Sequence, residues 1–154
     1  MSDLKEEEIK VFTDAVAHYF GQLTREPAAV RGAYLEREGE ATPVYDFSGR
    51  IMVTGQYRGS VTLSAPRAMI RHLLVALHET DQSEDNLRDT VGELANTLAG
   101  NARKYFGENM EISVPVTAAG AIPGSDTGRD RPYVIMVNWK TYNASLVVDI
   151  ERAS

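Results

Sequence analysis

One stretch carries residues whose types and spacing suggest chemistry: Ser83 to Phe106, SEDNLRDTVGELANTLAGNARKYF. On a helix, at roughly 100° per residue, Asp89, Glu93, Asn96, Gly100 and Arg103 fall in one narrow band, at spacings of four, three, four and three. The band offers a carboxylate pair and a carboxamide, groups that accept, donate and orient small polar molecules. The plain reading of such a line is a solvated helix face. Two features argue for more. Asparagine competes for backbone hydrogen bonds and is a poor choice for a decorative helix position. Gly92 and Gly100 flank the line. Each costs about 1 kcal/mol relative to alanine inside a helix, and each leaves room for another backbone to come close.

The rest of the chain offers no catalytic constellation of its own. The three histidines, His18, His72 and His78, include no i, i+4 pair for a helical zinc site, so no metal ligands are assigned. They are read as packed or surface residues. The glycines between 120 and 128 lack the Gly-Lys-Ser/Thr ending of a phosphate loop. There is no cysteine, hence no thiol nucleophile and no disulfide.

Asp89-x-x-x-Glu93-x-x-Asn96, followed by Ala99-Gly100-Asn101-Ala102 and then Ile112-Ser113-x-Pro115, resembles the CheX/CheC family of chemotaxis phosphatases. Eighteen residues separate Asn96 from Pro115, a shorter spacing than the family pattern, so the turn after the helix is expected to be tighter. The resemblance covers nearly the whole chain. The length suits the single-site CheX better than the two-site CheC. It implies an aspartyl-phosphate phosphatase acting on a CheY-like response regulator. On that reading Asn96 aligns the attacking water and Glu93 pairs with the receiver lysine. Asp89 supports docking or Glu93, Gly100 lets the partner's loops approach, and Pro115 shapes the rim. The chain needs no cofactor of its own, since Mg²⁺ and the labile bond belong to the phosphorylated receiver. A homodimer formed through the sheets is implied as well. Two other readings stay open: a non-catalytic CheX-like domain that binds a receiver or another signalling protein, and a structural module whose polar line is merely solvated.

The elements that must hold this helix are legible in outline. The 154 residues fit one domain, taken as 1–154. Asp3-x-x-Glu6 reads as a capping box for a helix to about Leu23, with Ile9, Phe12, Val16, Tyr19, Phe20 and Leu23 inward. Strands are expected at 28–35, 44–54 and 60–64, with a polar turn at 37–42 and another at 55–59. Pro66 suits the first turn of a helix to about Glu79, burying Met69, Ile70, Leu73, Leu74 and Leu77. In the central helix Leu87, Val91, Leu94, Ala95, Leu98, Ala102, Tyr105 and Phe106 form the apolar stripe, and Ser83 is the cap.

Met110, Ile112, Val114 and Val116 alternate onto one face. Pro115 makes that strand an edge, or bulges it. A long loop is expected over 118–132, then a hairpin of Tyr133–Lys140 and Ala144–Glu151. Ile51-Met52-Val53 and the return strand after it echo Ile135-Met136-Val137 and its return strand, 84 or 85 residues later. The sum is an α+β fold, CheC/CheX-like: an antiparallel-rich sheet with helices packed on it. The N-terminus is acidic and is not a secretory signal, no apolar run approaches the roughly 20 residues that span a bilayer, and the protein is expected to be cytoplasmic. A net charge of −6 disfavours nucleic acid and anionic membrane as partners.

Overall fold

The computed structural model describes residues 2–35, 42–122 and 132–153. Three helices, α1 (Glu6–Thr24), α2 (Arg67–Ala76) and α3 (Glu84–Phe106), pack on one face of an antiparallel sheet. Its strands are β1 (Ser2–Asp3), β2 (Ala29–Leu35), β3 (Phe47–Gly55), β4 (Tyr57–Ala65), β5 (Met110–Ile112), β6 (Val116–Ala119), β7 (Tyr133–Trp139) and β8 (Tyr142–Arg152). The order is β2-β7-β8-β4-β3-β5, with β6 also on β3 and β1 beside the end of β8.

The echo between the two hairpins has a structural counterpart. Hairpins β3–β4 and β7–β8 lie in one sheet, and their return strands pair with each other antiparallel. Val61 faces Val148 and Leu63 faces Leu146. Shifting by 85 residues carries Val61 onto Leu146 and Leu63 onto Val148, so the two pairs exchange. That is the signature of an approximate two-fold axis at Thr62–Val147. The flanking strands obey it too: β2 from the first half pairs β7, and β6 from the second half pairs β3.

Alternation along the strands fills one core. Ile51, Val53, Val61, Leu63, Ile135, Val137, Leu146 and Val148 point at the helices and are almost wholly buried. From above, α3 lowers Leu87, Val91, Leu94, Ala95, Leu98, Ala102 and Phe106 onto them. Phe12 of α1 meets Phe106 at 5.9 Å between ring centroids, and Phe20 meets Trp139 at 6.0 Å. Trp139 is fully buried, and its indole N–H donates to Thr24 Oγ1 and the Glu26 carbonyl.

Several boundaries differ from the sequence reading. The first helix starts at Glu6, so Glu8 rather than Glu6 takes the third helical position. Its carboxylate accepts from the Lys5 N–H at 2.8 Å and from the Arg152 guanidinium at 2.6 Å. Asp3 lies instead in β1, paired with Glu151. At α2, Pro66 is the cap itself and the Asp46 carboxylate accepts the Arg67 N–H at 2.7 Å. That helix stops at Ala76, leaving Leu77 38% exposed rather than buried. The first hairpin turns more tightly than expected, with only Gln56 between β3 and β4. Most of the expected turn at 37–42 and most of the loop at 118–132 lie outside the described residues. Within the latter range β6 extends to Ala119.

Candidate functional site

Helix α3 is fixed at both ends before it presents anything. Ser83 Oγ accepts the Asn86 N–H at 3.3 Å, and Gly107, at φ +81°, ends the helix. Arg67 of α2 grips Glu84 with two hydrogen bonds of 3.0 and 2.6 Å. Along its length the apolar stripe is sunk in the core, with Tyr105 as the exception: it is 61% exposed and stands edge-on to Phe106. With that stripe locked down, the opposite side has one orientation.

On that side Asp89, Glu93 and Asn96 are exposed and Gly100 is half-buried. Among the described residues, none of the three side chains has a hydrogen-bond or ion-pair partner; only the Glu93 carbonyl is engaged, by Thr97 Oγ1 at 2.9 Å. Asn96 follows Glu93 by three positions, which makes the two side chains neighbours on the helix surface. Arg103, fifth in the line by sequence, serves another purpose. Its Nε donates to the Met110 carbonyl at 2.7 Å and braces β5 against the helix.

The line has two walls. On the α1 side stands Tyr19, close to the Thr97 side chain. Its phenol is raised above the usual tyrosine value, first by burial and then by the Glu93 carboxylate nearby. On the sheet side stands Pro115. A Cβ on Gly92 would lie 3.2 Å from Pro115 Cβ and 2.6 Å from Thr117 Cγ2, and one on Gly49 would lie 2.9 Å from Gly92 Cα. So the room beside Gly92 is taken by this chain's own strands, not kept for a partner. Gly100 is different, since a Cβ there would meet nothing within 4 Å.

Pro115 sits where the edge strand breaks. β5 and β6 both pair β3; Ser113 still donates its N–H to the Met52 carbonyl at 3.0 Å, and the ladder breaks at Val114 and Pro115. The expected single alternating strand is therefore two short pieces. Val114 is 80% and Val116 51% exposed while Met110 is buried, so the four do not share one face as the alternation suggested. The reason is the missing proline N–H, which cannot continue the ladder.

Glu93, Asn96 and Gly100 thus lie along one side of α3, with Asp89 one turn before Glu93 and Pro115 against Gly92, the residue preceding Glu93. Tyr19 and Thr97 stand close to Glu93 and were not singled out from sequence. Tyr19 read only as one more apolar-face residue of its helix. Among the described residues no cluster of three or more histidine, cysteine or acidic side chains could hold a metal ion.

A family model described as chemotaxis phosphatase CheX matches residues 47–137, the span from β3 through most of β7. The chain belongs to the CheX family. Solved structures agree on the fold. The chain is similar to a CheC-like superfamily protein from Shewanella sp. PV-4, at 19% identity and a TM-score of 0.78, covering 96% of this chain and 99% of that one. It is similar to the chemotaxis protein CheX from Vibrio vulnificus, at 16% identity and a TM-score of 0.76, covering 94% and 99%. It is also similar to a chain of the CheX–CheY–BeF₃–Mg²⁺ complex from Borrelia burgdorferi, at 15% identity and a TM-score of 0.70, covering 96% and 100%. No curated protein matches the chain at a significant level. The α+β, CheC/CheX-like architecture expected from the sequence is the one observed. Among the described residues no helix is long and apolar enough to cross a membrane.

Proposed function

We propose that this CheX-family protein hydrolyses the phosphoaspartate of a CheY-like receiver domain. The observation that carries the reading is the pair Glu93 and Asn96: adjacent, exposed, without a side-chain partner among the described residues, and mounted on a helix whose other side is buried. An unpaired carboxamide on a rigid helix can enter another protein's pocket without rearrangement. Support for the partner comes from the relative found in complex with CheY, BeF₃ and Mg²⁺.

In this mechanism the receiver contributes the acyl phosphate and Mg²⁺, and this chain contributes position. The Asn96 side-chain oxygen accepts a hydrogen bond from a water held behind the phosphorus, while its NH₂ donates to a neighbouring oxygen. Water attacks phosphorus, the bond to the aspartate oxygen breaks, the carboxylate leaves, and the water's proton ends on the phosphate product or in solvent. Such hydrolysis is governed mainly by alignment and electrostatics. Glu93 pairs with the receiver lysine that contacts the phosphoryl group. Asp89 extends the acidic line behind it, Gly100 gives the receiver's loops clearance, and Pro115 forms the rim. The chain holds no cofactor of its own in this scheme. Pairing of two copies through their sheets belongs to the same proposal, and light scattering tests it separately.

The test is phosphate release from a panel of phosphorylated receivers. Wild-type protein is expected to accelerate it for at least one. Glu93→Ala is expected to raise KM by roughly tenfold, since a charged partner is left unpaired. Phosphorylation-dependent binding without faster phosphate loss would instead identify a non-catalytic receiver-binding domain.

A further inference from the structure

The Glu93 carboxylate is exposed and has no partner among the described residues, so its torsions must be ordered when something pairs with it. Its surroundings toward α1 are not bare. Thr97, one turn on, donates its hydroxyl proton to the Glu93 carbonyl at 2.9 Å. A threonine has only one such proton, so Thr97 can accept from another group but cannot also donate to the carboxylate. Close to Thr97 stands Tyr19 of α1, half-buried, its ring packed against the core and edge-on to Phe20 at 5.9 Å. Phe20 is itself set against Trp139, and Phe12 of the same helix against Phe106 of α3, so the place of Tyr19 beside α3 is fixed by packing. Burial raises the phenol above its ordinary value and the nearby Glu93 carboxylate raises it further. At neutral pH Tyr19 therefore keeps its proton and is a donor.

A tyrosine between two helices is ordinarily there for its ring, and a phenylalanine would pack as well. The hydroxyl is the part that packing does not require, and its neighbours are Thr97 and the Glu93 carboxylate. We propose that Tyr19 is a positioning residue of the reaction: its O–H donates to the Glu93 carboxylate when that carboxylate pairs with the receiver lysine, and holds it in one orientation. This rests on the receiver being the partner of Glu93 and Asn96. The hydroxyl proton turns from Thr97 to the carboxylate without moving the ring. One Glu93 oxygen then accepts from the phenol and the other from the lysine. A hydrogen bond to an ionised acceptor is among the stronger kinds. Its donor is already held in place by packing, so ordering Glu93 costs less than it would alone. Asn96 aligns water independently of this contact, so Tyr19 acts on docking and not on the chemical step.

Tyr19→Phe, Glu93→Ala and the double variant test this on the full chain. Tyr19→Phe keeps the ring, so it is expected to melt close to wild type. Binding is titrated with Mg²⁺- and beryllofluoride-treated receiver domains from the genome that encodes this chain. Phosphate release is followed in parallel with phosphorylated receivers. Tyr19→Phe is expected to raise Kd by about tenfold, the loss of one hydrogen bond to a charged group. At saturating receiver its kcat is expected to stay within about twofold of wild type. In the Glu93→Ala background the same exchange is expected to change Kd by less than about twofold, because the acceptor is already gone. A Tyr19→Phe protein with wild-type Kd overturns the assignment. So does a tenfold loss that persists in Glu93→Ala, since Tyr19 then acts without Glu93. A Tyr19→Phe protein that melts well below wild type also overturns it, since the hydroxyl then serves the fold. A wild-type protein that binds receiver but does not speed phosphate loss overturns the phosphatase reading alone, with Tyr19 still decided by Kd. Failure to bind any receiver removes both.

Discussion

Gly100→Ala should make this protein more stable and less active. The position lies inside α3, and an added Cβ meets no atom within 4 Å. Nothing in the folded chain opposes alanine, which is favoured over glycine in a helix interior by about 1 kcal/mol. For a domain of this size that corresponds to a melting temperature higher by about 2–4 °C. The same exchange at Gly92, two turns earlier, gains the same propensity but drives its Cβ to 2.6 Å from Thr117 Cγ2 and 3.2 Å from Pro115 Cβ. Overpacking of that kind costs about 1–3 kcal/mol, so Gly92→Ala should be neutral or destabilised. Scanning calorimetry on the two variants separates these outcomes. If receiver loops pass over Gly100, the alanine that stabilises the free protein obstructs the complex, and KM for the phosphorylated receiver rises. A Gly100→Ala protein that melts lower than wild type would refute the reading of open space. One that melts higher with unchanged KM would refute the docking role.

Three further outcomes follow from the packing and charges. Gly49→Ala should lower the melting temperature by roughly 4–8 °C, for about 2 kcal/mol of overpacking, because the atoms in its way are α3 backbone and cannot rotate aside. Glu93→Gln should lower the Tyr19 pKa, as followed by tyrosine absorbance, since the Glu93 carboxylate is one cause of its elevation above 10.0. A raised phenol pKa favours the neutral folded form. This stability is therefore full below the unfolded value near 10 and lost as pH rises through the folded value, less steeply in Glu93→Gln. Trp139→Phe should destabilise by about 1–3 kcal/mol in urea melts, because the Thr24 and Glu26 acceptors lose their indole donor and the smaller ring leaves a void.

Period-based reading worked where one long element buried one face. The stripe on α3 and the two hairpins are set by short-range alternation, and the internal echo pointed to two related hairpins in one sheet. It failed where a distant partner decides. Asp3 reads as a cap locally, yet β8 takes it as a strand residue. Three consecutive glutamates then leave the helix start ambiguous until Arg152 selects Glu8. Tyr105 and Leu77 fit the helical period but fall where the core has already ended. Val114 fits the strand period, but Pro115 next to it removes the donor that would have kept the strand whole. At the site, Glu93, Asn96 and Gly100 could be placed outward from spacing alone, because the opposite stripe is so definite. Tyr19 could not, because its nearness to Glu93 depends on how α1 lies against α3. Gly92 was read as leaving room for another backbone; that the backbone is this chain's own could not be told, because its neighbours Gly49 and Thr117 come from strands far away in sequence.

The central claim is that the Asn96 carboxamide aligns water inside another protein's pocket. Its most direct test compares the maximal rate of phosphoaspartate loss from a saturating receiver with wild-type and Asn96→Ala protein. The account expects a fall on the order of 100-fold in kcat, with KM and melting temperature nearly unchanged. Equal maximal rates in the two proteins would contradict it.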